Sequence, residues 1–64
     1  MRLASELSRW TVFLAAGGAL HLLAHAYSEV QDEYVFVALA EGEPRYEVEL
    51  ARIPTALVSR IQGG

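Results

Sequence analysis

The clearest alternation of polar and apolar positions lies in the second half of the chain. Residues 45–50 read Arg-Tyr-Glu-Val-Glu-Leu, which has the two-residue period of a half-buried strand. Residues 34–39 are rich in the β-branched and aromatic residues that strands favour. Between them, residues 41–44 contain the glycine and proline of a turn. The pattern predicts a central antiparallel β-hairpin in which Val37 lies near Val48, so that Tyr34 and Phe36 fall on the outer face.

Both ends of the chain have patterns that favour helices. Residues 1–9 place two leucines on one side of a short amphipathic helix. Beyond Pro54, residues 55–62 predict a short helix or a final strand. The helix is favoured because proline suits a first helical turn and the glycines at positions 63 and 64 suit a helix end.

Residues 10–27 carry no formal charge when their histidines are neutral, and their pattern has three interpretations. Gly17 and Gly18 are typical either of a break between two helices or of a tight β-hairpin turn. A two-residue turn would pair Val12 with Leu23. The third interpretation is a membrane segment, although the apolar run is shorter than the roughly 20 residues that a spanning helix needs. The leucines and alanines of residues 19–30 favour a helix slightly over a hairpin.

These segments predict a single small α+β domain over residues 1–64. It comprises an N-terminal helical segment, a central antiparallel β-hairpin and a short C-terminal helix. The alternative is a helix followed by a four-stranded antiparallel meander or small barrel, which in element order resembles the Sm-like proteins. Such proteins usually present a basic surface to RNA, which the acidic middle of this chain does not match. The final Gly-Gly superficially resembles the tail of ubiquitin-like modifiers, whose fold starts with a hairpin rather than a helix.

Length and composition add an expectation of association. The chain has 64 residues and no cysteine, which excludes disulfides and thiolate metal sites. A domain of this size buries only about 60% of its unfolded surface, so we expect a homo-oligomer or a complex with another protein. The apolar stretch of residues 10–27 would supply the interface. The residues predicted for that interface are Trp10, Phe13, Leu14, Leu20 and Leu23.

Charge is unevenly distributed and indicates the kind of partner. The formal net charge is −3, and seven of the eight acidic residues lie between positions 29 and 49. Direct binding of nucleic acid is excluded, because it requires cationic side chains that neutralise phosphates. An acidic belt is instead complementary to a basic protein surface. The residues predicted to bind this partner are Glu33, Tyr34, Phe36, Glu41, Glu43, Tyr46, Glu47 and Glu49.

Candidate chemistry is sparse. His21 and His25 would share one face of a helix, but no cysteine or further histidine completes a four-ligand zinc site. The glutamates of the turn and strand lack an environment that would separate their pKa values for acid–base catalysis. The hydroxyl residues and the Gly-Gly pair match no nucleophile or phosphate-binding motif. No catalytic, cofactor or metal residue and no small-molecule substrate is therefore predicted.

The predicted function is that of a non-enzymatic, acidic protein-binding module. It would act as a small inhibitor or regulator by covering a surface of a larger, basic, nucleic-acid-handling partner. Phage-encoded inhibitors offer an analogy of size and charge only, and the all-arginine basic residues are typical of a GC-rich phage or bacterial genome. The expected location is the cytoplasm. The alternative function is a single-pass or membrane-associated accessory protein anchored through residues 10–27.

Overall fold

The computed structural model describes residues 2–64 and is built almost entirely of strands. One 3₁₀ turn, Thr55–Leu57, interrupts the strands. The α+β prediction is therefore wrong, because neither terminal helix is present in the described chain. The strands are β1 (Ser8–Leu14), β2 (Ala19–Ala24), β3 (Ala26–Val30), β4 (Glu33–Ala40), β5 (Tyr46–Pro54) and β6 (Val58–Gly63).

The strands form two three-stranded antiparallel sheets. The first sheet has the order β2-β1-β6 and the second has the order β3-β4-β5. The chain passes from one sheet to the other at His25, between β2 and β3, and again through the 3₁₀ turn between β5 and β6. These corners let the inner faces of the two sheets meet, as in packings where strands switch sheets at a bend.

The core lies between the inner faces and is small. Val12 and Ala24 of the first sheet meet Phe36 of the second, and all three are fully buried. Phe36 and Val12 are the largest fully buried side chains of the described residues. The partly buried residues packed around them are Trp10, Leu14, Leu22, Tyr34, Ala51, Ile53, Val58 and Ile61.

The N-terminal segment is extended rather than helical. Residues 2–7 lie beside the end of β4, where Leu3 forms a bridge with Ala40. The Ala4 N–H donates to the Leu39 carbonyl at 3.0 Å, and the Glu41 N–H donates to the Arg2 carbonyl at 2.7 Å. The helix prediction over residues 1–9 is thus wrong for its described part. The extended segment satisfies backbone groups at the end of β4, beyond the point where β3 stops pairing with that strand.

The His25 side chain joins three segments at the corner between β2 and β3. Its Nδ1 accepts a hydrogen bond from the Leu39 N–H at 2.7 Å. Since Nδ1 is the acceptor, Nε2 carries the proton and donates to the Ser5 carbonyl at 3.0 Å. His25 therefore holds the N-terminal segment, the corner and β4 together.

Residues 10–24 form a β-hairpin, so the slightly favoured helix is wrong and the hairpin alternative is correct. Its loop is longer than two residues, because the Leu14 N–H already bonds the Gly18 carbonyl at 3.0 Å. Gly17 and Gly18 adopt positive φ values of 108° and 84°, which explains glycine at both positions. The longer loop pairs Val12 with Leu20 instead of Leu23.

The central hairpin is present, but its predicted register is wrong by one residue. Val48 pairs with Ala38 and Glu49 with Val37, and a bulge then shifts the register beyond Phe36. Because a one-residue slip exchanges the faces of a strand, Phe36 points into the core rather than outward. The loop between the strands has a cis peptide bond before Pro44. Its sequence does not predict this register.

The C-terminal segment is a strand, so the predicted C-terminal helix is wrong and the final-strand alternative is correct. β6 pairs with β1 and contributes Val58 and Ile61 to the core, whereas Leu57 is 56% exposed. Gly63 lies against the backbone of Arg9, where a β-carbon would collide with the carbonyl oxygen. The final glycines thus allow β6 to close against β1.

Candidate protein-binding surfaces

An acidic loop projects from the second sheet where β4 and β5 meet. We call it the acidic tip and define it as Glu41, Glu43, Arg45, Tyr46 and Glu47. All five residues are exposed. Arg45 reaches Glu41 only at 3.9 Å between Nη2 and Oε1, and both side chains remain about half exposed. Such a pair is worth little, so the tip presents its negative charge to solvent.

Tyr46 gives the acidic tip an apolar contact. Its side chain is 49% exposed. The ring lies against Gly42, where an added β-carbon would come within 3.0 Å of Cε1. The loop backbone therefore supports the ring from one side while the other side faces solvent. A supported, exposed tyrosine among glutamates is the kind of residue that anchors protein interfaces.

Two of the predicted partner-binding glutamates lie elsewhere, on the outer face of the second sheet. Arg52 donates from Nη2 to Glu49 at 2.7 Å and from Nη1 to Glu33 at 3.1 Å. The hydrogen bond from Arg52 lowers the pKa of the Glu49 carboxyl and raises the pKa of Arg52 itself. Arg52 offsets one of the two negative charges, so this cluster keeps a net charge of −1, whereas the acidic tip, with three glutamates and one arginine, carries −2.

Tyr34 and Phe36 belong to an aromatic cluster on the inner side. Trp10 and Tyr27 complete it, with centroids 5.2 Å apart and rings nearly perpendicular. Tyr27 stacks on Phe36 at 5.2 Å and meets Tyr34 edge-on at 5.8 Å. Phe36 is fully buried and Tyr34 half-buried, so neither lies beside the glutamates of the acidic tip. Only Tyr27, 38% exposed, reaches the surface well.

The first sheet presents a basic outer face. Since Val12 is buried, alternation along β1 points its neighbours Thr11 and Phe13 outward, and their cross-strand partners share that side. The Arg60 guanidinium lies 4.3 Å from the centre of the Phe13 ring, a cation–π contact. We call this surface the basic face; its residues are Arg9, Thr11, Phe13, His21, Leu23, Arg60 and Gln62.

The residues predicted for an apolar interface divide between the two sides of the first sheet. Trp10 and Leu14 are partly buried against the core. Phe13 and Leu23 lie on the basic face, where Leu23 is 53% exposed. Leu20 pairs with Val12 at the edge of the sheet and is 45% exposed. Of the five, only Phe13, Leu20 and Leu23 are available to another chain.

The two histidines do not share a site. His21 Nδ1 lies 3.2 Å from the Thr11 hydroxyl on the basic face, whereas His25 is engaged at the corner. Across residues 2–64, no group of three or more histidine or carboxylate side chains is placed to hold a metal ion. The same span contains no helix long and apolar enough to cross a bilayer.

Sequence reasoning missed the arginines of the basic face and Tyr27 as surface residues. The signal for Arg9 is present in residues 9–14, where polar and apolar residues alternate in part. It was obscured because the same residues also fit an apolar helix. Arg60 joins that face only through the pairing of β6 with β1, which no local pattern reveals.

Comparison with known proteins identifies no relative: no family model, curated protein or solved structure matches the chain.

Proposed function

We propose that this protein is a non-enzymatic binding module whose acidic tip covers a basic surface of a larger, nucleic-acid-handling protein. The observation that carries the proposal is the acidic tip itself. Exposed glutamates surround Tyr46, and their one neighbouring arginine is only loosely paired. Charge of this kind accelerates association with a basic surface and sets specificity, and the tyrosine supplies contact area.

The site would act by occupancy rather than by catalysis. A partner surface that binds nucleic acid carries arginines and lysines that neutralise phosphates. Carboxylates on a protruding loop compete for the same cations. We place this activity in the cytoplasm, where the proposed nucleic-acid-handling partner would act.

Affinity capture from a native extract, with bound proteins quantified by mass spectrometry, tests the proposal. The bait variant Glu43→Gln/Glu47→Gln removes two charges from the acidic tip without changing side-chain size. We expect it to retain at least tenfold less of a specific, basic partner than the wild type. Raising the salt from about 0.1 M to about 1 M should release the partner from the wild type, because the Debye length falls from about 10 to about 3 Å.

The matched control is Glu6→Gln/Glu29→Gln, which makes the same change in net charge at exposed positions outside the tip. It should retain the partner at the wild-type level. Equal losses in both variants would show that net charge alone matters, and capture that resists salt would show that the acidic tip is not the binding element. Either result rejects the proposal.

A further inference from the structure

The basic face of the first sheet lies at the surface of the described chain, where Arg9, His21, Leu23, Arg60 and Gln62 are all exposed. β1 lies in the middle of this sheet, with β2 and β6 as its edges, and its outer side chains face solvent. The face combines two arginines with the apolar side chains of Phe13 and Leu23. Its composition is therefore complementary to an acidic surface that also presents an aromatic ring.

Among the residues that the structure describes, the arginines of this face have no carboxylate partner. Within residues 2–64, the ion pairs are those of Arg45 and Arg52, both in the second sheet or its loop. Arg60 is held over the Phe13 ring, and Arg9 borders an open depression of about 460 Å³. His21, Leu22 and Leu23 line the rest of this depression.

The acidic tip has the complementary character. It projects from the second sheet, carries uncompensated glutamates and presents the 49% exposed Tyr46 ring, supported by Gly42. One chain thus carries both a protruding acidic, aromatic loop and an unoccupied basic, partly apolar depression. The structure contains no ion pair that joins the two in the same molecule, as far as its described residues extend.

We propose that the basic face of one copy binds the acidic tip of a second copy. The glutamates of the tip pair with Arg9 and Arg60, and the Tyr46 ring occupies the depression beside Leu23. This inference rests on the proposed role of the acidic tip as a binding element. It adds that, in the absence of the basic partner, the acidic tip of one copy is covered by the basic face of another copy. Self-association and binding of the basic partner therefore compete.

The contact is heterologous, because two different surfaces meet. Each copy that uses its acidic tip still has an unoccupied basic face, and the reverse holds for its neighbour. Such contacts form rings or open chains rather than only two-fold dimers. We expect the contact of one loop with one sheet face to bury less than the roughly 1,200 Å² of a stable interface, and therefore expect weak association that salt disrupts.

Sedimentation velocity over a range of concentrations tests the inference. The wild type should form species larger than a dimer as concentration rises in about 0.1 M salt and return to monomer in about 1 M salt. Arg9→Gln/Arg60→Gln loses the basic face and Glu43→Gln/Glu47→Gln loses the acidic tip. Each variant by itself should associate at least tenfold more weakly than the wild type.

Mixing the two variants provides the decisive measurement. Each retains the surface that the other lacks, so an equimolar mixture should form a one-to-one dimer that does not grow further. This dimer also shows that both variants are folded. A wild type that stays monomeric at all concentrations, variants that associate as the wild type does, or a mixture that remains monomeric would each overturn the inference.

The control variant Arg2→Gln/Arg52→Gln makes the same charge change as Arg9→Gln/Arg60→Gln but alters neither the basic face nor the acidic tip. It should associate at least as well as the wild type. Capture of the basic partner separates the two proposals, because Arg9→Gln/Arg60→Gln retains the acidic tip. If Arg9→Gln/Arg60→Gln captures the partner normally but no longer self-associates, both proposals are supported. If the wild type self-associates but captures no partner, only the proposed function is removed.

Discussion

The two sheets of this protein differ in where they bury apolar surface and in how they balance charge. Four of the six buried hydrophobic residues described by the structure lie in β4 of the second sheet, and the first sheet contributes Val12 and Ala24. Arg52 pairs with two glutamates on the second sheet, whereas Arg9 and Arg60 of the first sheet have no ion pair in the described chain. The second sheet therefore supplies most of the core, and the first leaves its cations available for binding.

The comparison indicates that buried apolar surface and unpaired positive charge are unevenly divided within one small fold. β4 is the middle strand of its sheet and has buried residues on both faces, as Val35 and Phe36 show. β1 is also a middle strand, but its outer face is polar and basic. A chain of 64 residues has too little apolar surface to bury both faces of both sheets, and the face left uncovered carries the charge.

The largest expected effect comes from the core of the second sheet. Phe36→Ala should lower the free energy of unfolding by about 3–5 kcal/mol, because it empties the centre of the core. For this chain length the total is about 3–10 kcal/mol, so the variant should lose a large share of its stability. Urea denaturation followed by circular dichroism measures the loss. Val12→Ala, at the matching position of the first sheet, should cost less because it removes a smaller side chain.

Tyr46→Ala in the acidic tip is the control for this comparison and should change the free energy of unfolding by less than about 0.5 kcal/mol. If Val12→Ala destabilised the chain more than Phe36→Ala, the first sheet would be the main source of stability and the comparison would be reversed.

A smaller effect is expected where the first sheet closes. Gly63→Ala combines a φ of 127° with a collision against the Arg9 carbonyl. Gly17→Ala has a similar positive φ, but nothing lies within 4 Å of its added β-carbon. We expect about 3 kcal/mol of destabilisation at Gly63, from strain and overpacking together, and about 1 kcal/mol from strain at Gly17.

Thermal unfolding of the two glycine variants side by side measures the contribution of close packing between β6 and β1. Equal midpoints would mean that β6 moves away without cost, so that the first sheet is effectively two-stranded in solution.

The smallest effect concerns the ion pairs of the second sheet. Arg52 lowers the pKa of Glu49 below its ordinary value of 4.5. This carboxylate therefore contributes stability above about pH 4.5, and the contribution is lost as the pH falls through the lowered folded-state pKa. Arg52→Gln should remove this contribution, leaving a small deficit relative to the wild type at neutral pH that disappears in acid.

Urea midpoints measured from neutral to acidic pH, together with the Glu49 titration by NMR, check this sign. Arg45→Gln is the control, because its carboxylate partner is 3.9 Å away and exposed; its pH profile should follow that of the wild type. A Glu49 pKa that stays the same in Arg52→Gln would show that the ion pair does not form in solution.

Local sequence determined the central hairpin and the position of the acidic tip. Period-two alternation in residues 45–50, β-branched residues before it and the glycine and proline at positions 42 and 44 of the loop all favour the same structure, and the folded chain contains it. The uneven charge is also visible in the sequence. The cross-strand residue pairs were not visible in the sequence, because alternation defines the two faces of a strand but does not specify which residue of the partner strand lies opposite each position.

Tertiary structure decided the rest. Residues 19–24 are leucine- and alanine-rich, yet they form a strand because pairing with β1 and burial of Ala24 outweigh a weak helix preference. Residues 58–63 become a strand through pairing with β1, which is distant in sequence. That same long-range pairing brings Arg60 beside Phe13 and creates the basic face. Propensity acts over a few residues, whereas sheet pairing joins segments about 50 residues apart, so the basic face of the first sheet could be found only in the folded chain.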